Sequence, residues 1–372
     1  MCLIIKTLQM KKILLITTFL SSILCLNAQD LGEIKIKSQK YGMNKMKKAP
    51  KKIYINTFNI NYEFYKEAVD FKSGGNGGRI GGNTSSATAR AAIGLGGIDA
   101  KLMQEKTNLL YNNFVKKLES EGYEIISAEE ASKTNLYKDW QKETGPSVKE
   151  NFSGIINTIP DGYSFFYKKK NKKGAYKKGF LGGVGNQAKL SKALGDAIIA
   201  DINLYVMFTE NGTSLFKGRA AKVKLKTNLR LASDYTISIP QKKKKKKSFA
   251  GKLFGSVKVK GATDTYPAIS NILFSQGKIG LGTKSSYNGT LKDDIEINGV
   301  LKKQKIVAYQ KQGSFVPTSF STFSNYLDAK ADRFSSTAKW IDVDPQKYAE
   351  GFYNACNTFI DKHLDVLFSK IK

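Results

Sequence analysis

Apolar residues recur along this chain with two periods, and these divide it into helices and strands. Within residues 97–127, Met103, Thr107, Leu110, Phe114 and Leu118 fall at helical spacing, and Ile98, Leu102 and Leu109 widen the stripe. Lys101, Glu105, Asn108, Asn112, Lys116 and Glu119 fill the opposite side. Gly122 supplies a residue tolerant of a left-handed cap, and the chain resumes as a strand from Tyr123. Residues 53–60 and 202–208 are apolar at both alternating sets of positions, the pattern of central strands covered on two sides. The order predicts strand, crossover helix and parallel strand.

Weaker patterns complete the reading. Residues 34–37 alternate as a short strand, and 43–52 read as a linker ending at Pro50. Residues 61–97 hold glycines at 74, 75, 77, 78, 81, 82, 94, 96 and 97. No GxxxxGK[ST] and no GxGxxG directly after a strand accompany them, so a surface loop is expected and no phosphate cradle. A polar helical stretch containing Trp140 leads through Gly145-Pro146 to a strand at 163–167, then a short helix near 187–194. Val223, Leu225, Thr227, Leu229 and Leu231 alternate with Lys222, Lys224, Lys226, Asn228 and Arg230, predicting a half-buried strand with a cationic wet face. Turns are signalled at Gln276-Gly277, Asn288-Gly289 and Asn298-Gly299. A closing helix starts at Asp344-Pro345, with Tyr348, Phe352, Ala355, Cys356, Phe359, His363, Val366 and Leu367 on one face.

The fold class expected is α/β or α+β: a central mixed sheet built on a strand-helix-strand unit, antiparallel strands from Lys222 onward, and a long C-terminal helix. The expected organisation is a signal peptide at 1–28, a basic linker at 29–51, and a core at 52–240 with its glycine-rich insertion. A strand-rich basic segment at 241–312 and a helical segment at 313–372 follow.

The amino terminus reads as an export signal. Lys11 and Lys12 precede an apolar stretch at 13–26, and Leu26-Asn27-Ala28 places a small residue at the cleavage position before Gln29. Lipidation would use Cys25, but Ile23 and Leu24 stand where such signals carry a small residue. Cleavage leaves Cys356 as the only thiol, so the exported chain forms no internal disulfide. No later apolar run is long enough for a transmembrane helix. A periplasmic, outer-membrane-peripheral or secreted location is expected.

Several chemistries are short of residues. His363 is the only histidine, and with Cys356 it cannot complete a zinc site; no HExxH, CxxC or GxSxG is present. The two lie about two turns apart on one apolar helical face, a core placement. No cofactor, metal or catalytic residue is therefore expected. Carboxylate-only hydrolysis leaves no spacing signature and stays open.

Charge carries the sharper signal. Lysine and arginine number 61 against 31 acids, a net +30, and arginine occurs only at 79, 90, 219, 230 and 333. Lysine is a hydrated point charge, suited to diffuse attraction more than to bidentate phosphate reading. The candidate anion-binding residues form three groups. The first is Lys168, Lys169, Lys170, Lys172, Lys173, Lys177 and Lys178; the second is Lys222, Lys224, Lys226 and Arg230; the third is Lys242, Lys243, Lys244, Lys245, Lys246 and Lys247. Tyr176, Phe180, Phe249 and Phe254 stand beside the runs as candidate membrane-surface aromatics. Export makes lipopolysaccharide, lipid headgroups or acidic polysaccharide the expected partners, argues against nucleic acid, and leaves room for a protein partner in the envelope.

Three fragments, KIYINTFNI at 52–60, GYEIISAEE at 122–130 and ADINLYVMFTENG at 200–212, resemble the curli-secretion channel family and related TolB amino-terminal-like envelope domains. The resemblance implies an α/β architecture with the final helix packed across the sheet, and, for the channel family, a lipid-anchored outer-membrane oligomer. Cys25 departs from the anchor pattern, and lysine runs do not suit a lipid-facing barrel. The function expected is a non-catalytic, exported envelope binding or assembly protein. A secretion-channel-like subunit and a carboxylate hydrolase are the alternatives.

Overall fold

The computed structural model describes residues 31–72, 87–138, 140–152, 154–168, 186–210, 220–240, 263–311 and 338–372. The expected export signal lies outside them. Strand β1 (Ile36–Tyr41) and a short helix α1 (Met43–Lys47) precede β2 (Lys52–Glu63). Where a plain linker was expected, α1 forms because Met46 buries against the core. β3 (Tyr65–Lys72) and β4 (Ala87–Gly96) lead to α2 (Ala100–Ser120), β5 (Glu124–Ile125) and α3 (Ala128–Ser132). β6 (Trp140–Thr144), β7 (Ser147–Phe152), β8 (Ile155–Ile159) and β9 (Ser164–Lys168) precede α4 (Asn186–Ala193). The long strands β10 (Ile198–Glu210) and β11 (Ala220–Leu231) follow, then β12 (Tyr235–Pro240), β13 (Thr263–Ala268), β14 (Asn271–Gln276) and β15 (Ser285–Leu291). The chain ends with β16 (Ile295–Glu296), β17 (Lys305–Lys311), β18 (Lys339–Asp342) and α5 (Pro345–Ile371).

The protein is mixed α/β. Its main sheet runs β1-β15-β14-β10-β2-β8-β7; β11 continues outward from β10 to pair β16 and β17, and β5 pairs β2. β2 lies parallel to both β10 and β5, so the expected strand-helix-strand unit is present, and β11, β14, β15 and β17 pair antiparallel. The first face of the sheet carries Ile53, Ile55, Phe58, Ile60 and Tyr62 from β2, with Ile198, Ile202, Leu204, Val206 and Phe208 from β10, in one cluster with α2 and α5. Each such large side chain contributes about 1.5–3 kcal/mol on burial. All five residues at the helical spacing of α2, Met103, Thr107, Leu110, Phe114 and Leu118, are buried. Asp99 caps α2 by accepting from Lys101 and Leu102 N–H, and Asp344 caps α5 by accepting from Gln346 and Lys347 N–H.

Four expectations are corrected. The insertion read as a loop holds β3 and β4, paired antiparallel from Tyr65 opposite Gly94 to Lys72 opposite Ala87. β4 is rich in alanine and glycine because neighbours press close: a Cβ on Gly94 would lie 2.4 Å from the Trp340 ring. Trp140 sits in β6, paired with β9, and packs its ring 5.2 Å from Tyr137. Asn288-Gly289 lies inside β15, where glycine is needed because a Cβ would meet the His363 ring at 2.4 Å. Finally, β2 and β10 are central but not apolar on both sides. Tyr54 and Ile199 cluster with Tyr137 and Leu190 at one end of the second face. Tyr205 and Met207 cluster with Tyr235 and Ile237 of β12 at the other. Between the two clusters the face is polar.

Candidate binding surface

Most of the expected lysine site lies outside the described residues: Lys169, Lys170, Lys172, Lys173, Lys177, Lys178, the six lysines from Lys242 to Lys247, and the aromatics Tyr176, Phe180, Phe249 and Phe254. Lys168 closes β9, with its backbone paired to Trp140. Lys222, Lys224, Lys226 and Arg230 are within view and do not behave alike.

Arg230 is buried, which overturns its reading as a surface cation. Its Nε donates to Asp294 Oδ2 at 2.6 Å, and its two terminal nitrogens donate to the carbonyls of Asn228 and Thr209. The guanidinium also lies over the Tyr235 ring, 5.6 Å from its centroid. Asp294 is itself held by the Ser233 N–H and hydroxyl at 2.7 and 2.6 Å. The β10–β11 register shifts between Met207 and Thr209, so the simple alternation does not carry from Lys226 to Arg230, and β10 and β12 cover that end of the strand.

Further along, β11 emerges from cover. β10 pairs it only from Lys226 to Leu231, whereas β17 pairs it from Ala220 to Lys226. Ala221, Val223 and Leu225 point inward with Ile306 and Ala308. Lys222, Lys224 and Lys226 point outward, directly opposite Tyr309, Val307 and Lys305 respectively. Val307 is 47 % and Tyr309 54 % exposed. Lys226 faces Lys305 across the ribbon, a like-charge pairing that costs a few tenths of a kcal/mol. Glu210, 3.1 Å from Lys226, offsets part of it. The outer side of this two-stranded ribbon thus interleaves ammonium groups with an exposed valine and tyrosine. Lys305, Val307 and Tyr309 escaped the sequence reading because KIVAYQK is apolar at both alternating positions, so periodicity could not choose its inner side.

Next to the ribbon, Glu210, Asn228, Arg230, Ser233, Asp234, Asp293, Asp294 and Glu296 line a concavity of about 520 Å³. Three of its carboxylates are engaged locally: Glu210 with Lys226, Asp294 with Arg230 and Ser233, and Glu296 with Lys303 and Asn228, which hold it below the usual carboxylate range. A hydrolytic general acid needs the opposite perturbation. Buried Asp201 has it: desolvation raises its pKa, while Asn56 donates at 2.6 Å and Gln187 at 3.3 Å. Asp201 is engaged by neutral donors beneath the second face. Cys356 and His363 are both buried under the sheet; burial lowers the His363 pKa to about 4, and its Nδ1 meets Tyr287 Oη at 2.8 Å.

Among the described residues no cluster of three or more His, Cys, Asp or Glu side chains is placed to hold a metal, and no helix is long and apolar enough to cross a membrane. No protein family, curated protein or solved structure matches the chain.

Proposed function

We propose that this is a non-catalytic, exported cell-envelope protein that attaches to an anionic surface, acting as a binding or assembly component. The observation carrying the reading is the outer row of the β11–β17 ribbon, where Lys222, Lys224 and Lys226 alternate across the strands with exposed Tyr309 and Val307. Near an anionic bilayer each lysine contributes about 1 kcal/mol. Valine and tyrosine beside them add shallow insertion at headgroup level. Such a patch holds a protein loosely and releases it in salt. The export signal read at 1–28 supplies the compartment, in which lipid headgroups, lipopolysaccharide and acidic polysaccharide are the polyanions at hand.

Co-sedimentation separates these sources. Full-length protein should sediment with phosphatidylglycerol vesicles at low salt, and much less with phosphatidylcholine vesicles or at high salt. Val307→Ser with Tyr309→Ser should weaken vesicle binding while leaving a soluble acidic polysaccharide bound as before. Equal sedimentation with both lipids, indifferent to salt, would reject the proposal.

A further inference from the structure

The second face of the main sheet carries a feature that the lysine reading does not use. Strand register places Asn59, Asn203, Asn271 and Thr290 side by side across β2, β10, β14 and β15, ending at Lys37 on β1. At about 4.8 Å per strand, the four polar residues span about 14 Å. A second row, two residues along each strand, runs Thr57, Asp201, Leu273, Asn288 and Gln39. Asn59, Asn203, Asn271, Asn288 and Thr290 are half-buried, so they are neither core nor free surface.

A solvated sheet face is ordinarily polar, but this one is polar in an unusual way. A quarter of the chain is charged, yet Lys37 at the sheet edge is the only exposed charge in the two rows. Asparagine is depleted in strands, and here it recurs at adjacent positions of the two central ones. Internal bonding accounts for little of it. Asn59 reaches Asn203 only at 3.5 Å, and the Asn288 carbonyl oxygen is buried without a partner. By contrast Asn61 and Asn157, farther along the same face, are tied to each other and to the Leu204 and Ile60 carbonyls. The amides at 59, 203 and 271 therefore hold spare donors and acceptors in a fixed line. Beside the second row, Tyr41 stands 57 % exposed on the edge strand β1.

We propose that this face binds an uncharged polyhydroxylated chain, a neutral glycan, lying across the strands. Each amide presents a donor and an acceptor together, which matches neighbouring sugar hydroxyls. The lack of exposed charge disfavours an anionic polymer, and the backbone groups of these inner strands are already paired, which disfavours an added peptide strand. Tyr41 offers a ring face to the apolar side of a sugar.

The test is calorimetric titration of the full-length protein with neutral hexasaccharides of glucose and of N-acetylglucosamine, at low and high salt. At least one should bind with an affinity that salt leaves unchanged, which separates this site from the salt-sensitive ribbon. Asn203→Ala with Asn271→Ala should weaken it about thirtyfold, two hydrogen bonds' worth. Thr290→Val, which keeps the side-chain shape, should weaken it about fivefold and covers the case in which the double variant fails to fold. No binding of either hexasaccharide, or binding that Thr290→Val and the folded double variant leave unaltered, would overturn the proposal.

Discussion

Arg230 and Asp294 form a 2.6 Å ion pair in which the arginine is buried and the aspartate is about a third exposed. That asymmetry decides what each substitution does. Asp294→Ala strands a guanidinium beneath β10 and β12 and should cost about 3 kcal/mol in urea denaturation. Asp294→Asn keeps an acceptor and should cost less. Because Arg230 is buried, Arg230→Lys should leave vesicle affinity of the folded protein unchanged; a loss matching that of the ribbon lysines would return it to the binding surface.

Beneath the other end of the sheet, His363 sets a pH dependence. Its folded pKa of about 4 lies below the ordinary 6.5, because burial disfavours the imidazolium. The unfolded chain therefore binds the extra proton first, so stability is full above about pH 6.5 and falls as pH drops towards 4. The loss is about 3 kcal/mol, from 1.36 kcal/mol per pH unit over that window. In His363→Gln this slope should disappear from denaturation midpoints measured between pH 4 and 6.5, and a slope that persists would assign it to other groups.

Gly289 makes a sharper packing prediction. A methyl group there would collide with the same imidazole at 2.4 Å, deep between β15 and α5. Gly289→Ala should cost about 1–3 kcal/mol through overpacking. Combining it with His363→Ala should recover part of the loss that the two single variants sum to, as a double-mutant cycle would measure.

Asp201 should behave in the opposite sense to the histidine. Its folded pKa is raised by desolvation, so the wild type loses stability as pH rises through that value and the carboxylate ionises in place. Asp201→Asn keeps an acceptor for Asn56 and removes that loss. Its stability relative to wild type should be greater at pH 8 than at pH 4, and the reverse order would show that the ionised form is the one stabilised.

The central strands and both long helices were legible because their periodic burial is strong. α2 buries Met103, Thr107, Leu110, Phe114 and Leu118, though Leu109, read as widening that stripe, stays exposed. α5 buries its whole predicted face except the half-buried Val366. Three kinds of information were not in the pattern. Close backbone approach makes β4 and Gly289 look like loop or turn, since glycine and alanine signal both tight packing and flexibility. Which side of a doubly apolar strand turns inward, as at Val307 and Tyr309, depends on what covers it. Covering also took Arg230 out of the lysine row, because the partners that bury it, Thr209 and Asp294, are distant in sequence.

The salt dependence of binding to phosphatidylglycerol vesicles, compared between wild type and Lys222→Gln/Lys224→Gln/Lys226→Gln, tests the central claim most directly. At about 1 kcal/mol per lysine, the triple variant should bind about a hundredfold more weakly at low salt, and its affinity should fall less steeply as salt is added. Equal affinity and an equal salt slope in the two proteins would contradict the account.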